Sequence, residues 1–359
     1  MPQAKPSSRS SLGAAARREL HELIAINPSD RPWELPFAVA MAAGLPMLLG
    51  AWFGDMVHGA LASIGAMVIV YVPRTRLEHR MVTVMAAAFA MIACYAFGQL
   101  SQFIPPARAP IITGVAVIVT MACRYYRVVP PGPLFFVLAT AIGAYAPGDV
   151  ADATTRLGVF ALGSIGAVIV VFFYNLHILR SRDPLPASPP PLPEDLLDVV
   201  VIDALIIGLF VGLSLGAAQL LALEKPYWVP VSCLAVIQGA SLRAVWNRQA
   251  QRIIGTLIGL GVTWGLVRYA ADPWAVAVAV TALTFCVETA IVRHYAFAAI
   301  FITPLTILLA EASIPGEAGG SALIAARFAD TVLGSFIGLV GGVCLHNSAF
   351  RQRLKRWLR

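Results

Sequence analysis

Long uncharged apolar segments alternate with short polar connections along most of the chain. Met81–Tyr95 and Gly158–Phe173, for example, contain no charged residue. Several of the twelve segments that can be delimited by proline, glycine and charge extend to the roughly 20 residues that a bilayer-spanning helix needs. Backbone polar groups in lipid must be hydrogen-bonded within the segment, which favours helices over open sheets. The pattern therefore predicts an all-α polytopic membrane protein with about twelve transmembrane helices.

The apolar segments form two groups of six, separated by the proline-rich sequence SRDPLPASPPPLPE at Ser181–Glu194. Proline-rich linkers adopt an extended, semi-rigid conformation. The segments 57–72 and 227–241 are short for a straight crossing, so their helices either extend through their flanks or break before the far surface. The expected spans are 35–54, 57–72, 81–101, 109–123, 131–146 and 156–178, followed by 197–222, 227–241, 251–270, 274–290, 295–311 and 324–346.

Sequence patterns recur between the two groups at a nearly constant offset. HRMVTV around Arg80 matches QRIIGT around Arg252, 172 residues later. TRLGVFALGS around Arg156 matches ARFADTVLGS around Arg327, 171 residues later. Such matches predict an internal duplication, and six spans per half imply parallel repeats related by an axis along the membrane normal. The expected organisation is an N-terminal segment at 1–34, a first half at 35–179, a linker at 180–196, a second half at 197–348 and a basic tail at 349–359.

The charged residues set the expected orientation. Only 13% of the 359 residues are charged and the mean hydropathy is +0.77, which excludes an ordinary soluble domain. With the N-terminus inside, 21 of the 26 Lys and Arg residues lie on the inner side, in agreement with the positive-inside rule. Both termini are therefore expected in the cytoplasm. The amphipathic stretch Leu12–Ile26 is expected to lie on the membrane surface, with a floppy tail as the alternative.

One stretch of the second half is specific enough to suggest a family. In PYWVPVSCLAVIQ followed by RQAQRIIGTLIG, a Trp–x–Pro start leads into an apolar helix, a basic loop and Arg–x–x–Gly–Thr–x–x–Gly. YAFAAIFITPLTILL and ARFADTVLGSFIGL follow downstream. Together these motifs resemble the fusaric-acid-resistance-like membrane family, which includes the aromatic acid exporters of bacteria. The matching residues are Trp228, Pro230, Arg252, Gly255, Thr256, Gly259, Tyr295, Thr303, Pro304, Arg327, Asp330, Thr331 and Gly334.

The resemblance covers 197–346 well and 35–179 mainly through the internal repeat. It implies a multi-pass protein of the bacterial inner membrane that exports organic anions, often aromatic carboxylates. It also implies a distant similarity to plant aluminium-activated malate transporters, whose paired six-helix units enclose a basic pore. The bulky cytoplasmic domains of the larger exporters are not expected here. That difference leaves open the substrate, the coupling mechanism, the oligomeric state and any periplasmic adaptor protein.

Four arginines at corresponding places of the two halves are the main candidates for an anion path. Arg80 and Arg252 are expected at the inner mouth, where Arg252 either contacts an anion or only anchors the chain by reaching the headgroups. Arg156 and Arg327 are expected on the outer side, where the positive-inside rule disfavours arginine. Asp330 lies one helical turn from Arg327, so a structural ion pair and a role in the path are both open.

Carboxylates inside a membrane are costly and are functional by default. Asp203 and Glu288 are therefore candidates for proton coupling, although each could instead be solvated near an end of its helix. Gln238 and Thr303 are further candidates for the path, and Thr303 precedes Pro304, where a helix is either kinked or unwound. Glycines four residues apart predict close helix packing in lipid. They are Gly208, Gly212, Gly216, Gly255, Gly259, Gly334, Gly338 and Gly342.

No grouping of residues indicates an enzyme, a metal site or a cofactor. The six histidines are scattered without an HxxxH pair, and neither a P-loop nor a nucleophile elbow is present. The net charge of +7 includes no basic patch interleaved with aromatic residues, so nucleic acid is not an expected partner. The expected function is export of organic anions through a path between two pseudo-symmetric halves. A passive anion channel and a non-transporting membrane scaffold for envelope or lipid organisation are the alternatives.

Overall fold

The computed structural model describes residues 26–29, 31–128, 131–181, 191, 196–267, 272–313 and 320–358. Regular structure in these ranges is helical, and includes 3₁₀ turns at Met67–Tyr71 and Pro105–Ala107 and a π-helical turn at Leu196–Ile202. Nearly all of the expected surface helix at Leu12–Ile26 and of the proline-rich linker lies outside the described residues. The α-helices are α1 Glu34–Phe53, α2 Met56–Ala66, α3 Leu77–Gln102, α4 Arg108–Tyr125, α5 Leu134–Ala144, α6 Val150–Ser181, α7 Asp203–Leu220, α8 Trp228–Ile237, α9 Leu242–Val267, α10 Pro273–Ala290, α11 Tyr295–Ser313, α12 Gly320–His346 and α13 Ser348–Leu358.

Each of the twelve predicted segments overlaps one helix from α1 to α12, although several helix ends differ. In the described part of the chain, α1, α3, α4, α6, α7, α10 and α12 are long and apolar enough to cross a membrane. The helices α2, α5, α8 and α11 are apolar but shorter. An all-α membrane protein with several transmembrane helices is thus confirmed, whereas a membrane crossing by each of the other helices stays a prediction.

The short helices lie at the centre of the molecule. All ten residues of α8 are buried, and so are residues 136–144 of α5. The long helices instead expose large apolar side chains, such as Phe89, Ile118 and Leu162, each more than 60% exposed. An outer surface of this kind is suited to lipid rather than water.

Helix contacts in the first group of six have counterparts in the second. The helix α2 packs against α6 as α8 packs against α12, and α3 packs against α5 as α9 packs against α11. Between the groups, α4 packs against α7 and α10 packs against α1. The short helices also meet across this border, α2 with α11 and α5 with α8.

The basic segment before the predicted span 251–270 is helical, which corrects the expected loop. The helix α9 begins at Leu242, where the Ser241 hydroxyl accepts a hydrogen bond from the Ala244 backbone N–H at 3.2 Å. The polar residues of this segment predict a loop, but such residues indicate where the chain leaves the membrane and not where a helix ends. Arg252 is consequently about 15 Å along its helix at 1.5 Å per residue.

Glycines on several helices permit close backbone approach. A Cβ at Gly338 would lie 2.5 Å from the Cys233 carbonyl oxygen of α8, so only glycine fits there without a shift. The expected close packing is not formed at Gly216, where a Cβ would have no neighbour within 4 Å. Gly208, Gly212 and Gly216 form a row on α7 that faces α4. The α4 residue one turn beyond Thr113, which is the neighbour of Gly212, is the small Ala109. The remaining predicted glycines each have a close neighbour on another helix. The neighbours of Gly208 and Gly212 belong to α4, those of Gly255 and Gly259 to α11, those of Gly334 to α8 and those of Gly342 to α9.

Candidate functional site

Arg252 extends from α9 into the protein and is only 6% exposed. Its Nη1 donates to the Tyr295 hydroxyl of α11 at 3.0 Å, and its Nη2 donates to the Ser232 hydroxyl of α8 at 3.1 Å. Within the described part of the chain, the Nε–H has no hydrogen-bond partner. The side chain therefore does not reach the headgroups as a membrane anchor would, but spans two neighbouring helices inside the bundle.

Arg327 of α12 approaches the same helix from another side and is 4% exposed. Its Cζ lies 3.8 Å from the centroid of the Trp228 ring, which is a cation–π contact. Its Nη2 donates to the Thr306 hydroxyl at 3.3 Å, whereas Nε and Nη1 have no hydrogen-bond partner among the described residues. A guanidinium held mainly by an aromatic face keeps its N–H groups available for an anion.

The two arginines and their contacts on α8 form one site, here called the α8 arginine cluster and consisting of Trp228, Ser232, Arg252 and Arg327. Trp228 and Ser232 lie one turn apart on α8, and the two guanidinium groups interact electrostatically with each other. Three of their N–H-bearing atoms are buried and have no acceptor among the residues that the structure describes. Leaving such donors unpaired in a low-dielectric interior is costly, and a carboxylate would satisfy two of them at once.

Asp330 lies next to the cluster on α12 and is 1% exposed. In the ranges that the structure describes, neither of its carboxylate oxygens has a hydrogen-bond partner. The hydrogen-bonded ion pair with Arg327 that the sequence left open is therefore not formed. The site thus combines two buried guanidinium groups with one buried carboxyl group that has no donor.

A row of aromatic rings leads from the cluster to the first half. The Trp228 ring lies 5.4 Å from that of Tyr227, which lies 5.8 Å from that of Tyr145, after α5. Arg108, at the start of α4, places its Cζ 4.7 Å from the Tyr145 ring centroid. The exposed Gln219 donates to the Tyr145 hydroxyl at 2.9 Å, so this end of the row is near the surface. Sequence reasoning missed Arg108 and Tyr145, because the contacts of Arg108 with Tyr145 and of Tyr145 with Tyr227 depend on packing between residues far apart in sequence.

The two arginines of the first half have different neighbours. The Nη1 of Arg80 donates to the Asn175 side chain of α6 at 3.2 Å. Arg156 is half-buried on α6, and its Nη1 has no hydrogen-bond partner. The structure thus brings together Arg252 and Arg327 of one half, rather than Arg80 and Arg252 of different halves.

Both predicted proton-coupling residues have arginine partners. Asp203 Oδ1 accepts from Arg351 Nη1 at 2.5 Å, and its Oδ2 lies 3.5 Å from Arg124 Nη2. Glu288 Oε2 accepts from Arg31 Nη2 at 2.7 Å. Each carboxylate joins segments from the two groups of six helices, which is the geometry of a structural contact.

The remaining path candidates bond to their own helices. Thr303 is buried and donates to the Ala299 carbonyl oxygen at 2.9 Å, and α11 continues as a helix through Pro304. Gln238, just after α8, donates to the Leu234 carbonyl oxygen at 3.1 Å. Neither side chain lies in the α8 arginine cluster as defined above.

Comparison with known proteins supports the predicted resemblance for the second half. Residues 207–341 match the family model described as fusaric acid resistance protein-like. A stretch of 152 residues, or 41% of this chain, is 33% identical to the uncharacterised membrane protein YvaC of Bacillus subtilis strain 168 and spans 24% of that relative. The chain thus matches about a quarter of its curated relative. No solved structure matches.

Proposed function

Taking α7–α12 as a fusaric acid resistance protein-like membrane unit, we propose that the protein transports small organic anions across the bacterial inner membrane, in the direction of export. The α8 arginine cluster is the observation that carries this proposal. In the proposed topology, twelve spans form two parallel six-helix halves, at 35–179 and 197–348, with both termini in the cytoplasm. The matched helix contacts of the two groups support the two halves, and the charge asymmetry of the connections supports the orientation.

The chemistry of the cluster favours a carboxylate over a neutral or cationic substrate. The two buried guanidinium groups repel each other, and the single carboxyl group of Asp330, which interacts with Arg327, balances only one of the two charges. Guanidinium binds carboxylate in a bidentate manner at any physiological pH. A hydrogen bond to a charged group contributes about 1.5–3 kcal/mol. A carboxylate that meets the unpaired donors of Arg252 and Arg327 is thus strongly favoured over the unoccupied arrangement.

The aromatic row favours aromatic carboxylates within this class. The rings of Tyr145 and Tyr227 connect the surface near Gln219 to Trp228 of the cluster. Such faces stack with an aromatic ring in offset or edge-to-face geometry. Because α8 also contacts α5, a path along α8 runs at the border between the two halves.

We assign proton coupling to Asp330 rather than to Asp203 or Glu288. The latter two are ion-paired with arginines, whereas the Asp330 carboxyl group is buried beside the cluster without a donor. A carboxyl group that can exchange a proton next to an anion site is what proton-coupled export requires. A passive anion channel, the alternative, needs the arginines but no titrating carboxyl group.

The proposal is tested by efflux of radiolabelled benzoate and succinate from proteoliposomes. Arg252→Gln and Arg327→Gln should each lower the initial rate by about tenfold or more, since each removes donors to the anion. Arg243→Gln is the matched control, because it removes the same charge from the exposed first turn of α9 and should leave the rate unchanged. Arg252→Lys, which keeps the charge but loses the fork geometry, should have an intermediate rate.

The outcomes separate the three candidate functions. Equal efflux rates for Arg252→Gln and Arg243→Gln would refute the role of the cluster. Efflux that responds to a pH gradient in the wild type but not in Asp330→Asn supports coupled export, and efflux indifferent to the gradient in both supports the channel. A wild-type protein that is folded but transports neither anion supports the scaffold.

A further inference from the structure

The last helix has the sequence pattern of a helix that lies flat on a membrane. In α13 the apolar residues Phe350, Leu354, Trp357 and Leu358 recur at positions i, i+4, i+7 and i+8, which places them on one face. Four basic residues of this helix fall outside that stripe, and 348–359 contains no acidic residue. Neighbouring helices of the bundle do not share this pattern, because they are apolar on most faces.

Contacts fix α13 at the end of the helical bundle. It begins one residue after α12 ends, and it contacts the turn Leu196–Ile202 that leads into α7. Arg351 donates to Asp203 at 2.5 Å and to the Leu345 carbonyl oxygen at 3.1 Å. Since α7 and α12 are both candidate membrane spans, their ends place α13 at the level where the bilayer meets water.

Only part of the apolar face is covered by protein. Leu354 is half-buried and packs against the core, but the Trp357 side chain is 79% exposed. Arg353 and Arg356 are also exposed. Tryptophan is favoured at the bilayer interface, where its ring contacts acyl chains and its N–H stays near the headgroups.

We propose that α13 is an interfacial helix that binds anionic phospholipids in the leaflet at which α12 ends. Trp357 inserts among the upper acyl chains, and Arg353 and Arg356 contact phosphate groups beside it. The charge of this helix has no acidic counterpart within the segment, so an anionic surface is the complementary partner. Through Arg351, the bound helix also holds Asp203, which in turn meets Arg124 of α4.

The test uses the full chain at one copy per nanodisc, with quenching of tryptophan fluorescence by brominated acyl chains. The difference between the wild type and Trp357→Phe isolates the signal of Trp357. That signal should be quenched more in an equal mixture of phosphatidylglycerol and phosphatidylcholine than in phosphatidylcholine alone. Arg353→Gln with Arg356→Gln should remove the difference, since each basic residue near an anionic surface strengthens binding by about fivefold.

Arg76→Gln with Arg180→Gln is the control, because it removes the same charge from exposed positions outside α13. It should retain the full response to phosphatidylglycerol. Equal quenching of Trp357 in the two lipid compositions would overturn the proposal. Loss of the response to phosphatidylglycerol in the control variant Arg76→Gln with Arg180→Gln would overturn the proposal as well. So would shielding of the Trp357 side chain from solvent that is observed only when two copies share a nanodisc.

Discussion

The contact between α8 and α12 at Gly338 gives a sharp test of the packing. In Gly338→Ala the new methyl carbon would lie 2.5 Å from the Cys233 carbonyl oxygen and 3.1 Å from the Val236 Cβ. Ordinary van der Waals contact begins at 3.4 Å, so the carbonyl is about 0.9 Å too close. The obstructing atom belongs to the backbone of a fully buried helix, so the strain cannot be relieved by a side-chain rotation.

The expected cost follows from this geometry. Overpacking by a single methyl group in a tight core destabilises by about 1–3 kcal/mol. Gly216→Ala is the matched control, because it makes the same change in a helix where a Cβ meets nothing within 4 Å. Alanine is favoured over glycine in a helix interior by about 0.8–1 kcal/mol, so this control should gain stability. Because the same gain applies to Gly338→Ala, the two variants should differ by the overpacking cost alone, roughly 1–3 kcal/mol.

The assay is reversible unfolding by sodium dodecyl sulfate in mixed micelles, followed by circular dichroism. Gly338→Ala should unfold at a lower detergent fraction than the wild type, and Gly216→Ala at an equal or higher fraction. If Gly338→Ala proves as stable as Gly216→Ala, then α8 and α12 are not in backbone contact and the reasoning fails.

Three further predictions concern the inner contacts and the topology. Arg31→Glu should destabilise by about 3 kcal/mol or more because it leaves Glu288 buried beside a like charge, and the double exchange with Glu288→Arg should recover most of the loss in the same unfolding assay. Arg124→Gln should cost less than Arg31→Glu, since Asp203 keeps a second arginine at shorter distance, and equal losses would contradict this ranking. Of two reporters fused at Ala187, only the one that works in the cytoplasm should be active. Activity of a reporter that works in the periplasm would overturn the predicted topology.

The sequence was most informative about the helices. Apolar runs between polar connections predict the position of each of α1–α12, because every residue of a membrane span must have its backbone hydrogen-bonded within the helix. It was less informative about helix ends, as α9 shows: its first turns carry Arg243 and Arg248 and remain helical, since hydropathy responds to the water boundary only. Close helix approach was also predictable from glycine spacing, except at Gly216, where the spacing cannot reveal what lies opposite.

The sequence located the arginines but not their partners. The internal repeat aligns Arg80 with Arg252, yet the two guanidinium groups make different contacts. The reason lies in their neighbours: a Cβ at Gly163 would meet the Ala62 carbonyl, as one at Gly334 meets that of Val229. When Ala62 is aligned with Val229, the α2 residue that corresponds to Ser232 is Gly65. Glycine has no hydroxyl group that could accept a hydrogen bond. The internal repeat thus predicts that Arg80 and Arg252 occupy corresponding positions, but it does not predict which side chains they contact.

Two ion pairs bear on how a transport path could open. Arg31 with Glu288 joins the segment before α1 to α10, and Arg124 with Asp203 joins α4 to α7. In both pairs the carboxylate thus belongs to the second group of six helices, on α10 or α7, and the arginine lies before or within the first group. In the predicted topology both pairs lie at the cytoplasmic end. Separating the two halves there would break both pairs. The loss of Arg31 would leave the buried Glu288 without its partner, at a cost of about 3–5 kcal/mol, whereas Asp203 would keep Arg351. A rearrangement around α8 within the second half would break neither pair, so the ion pairs favour opening along α8 over a wide separation of the halves.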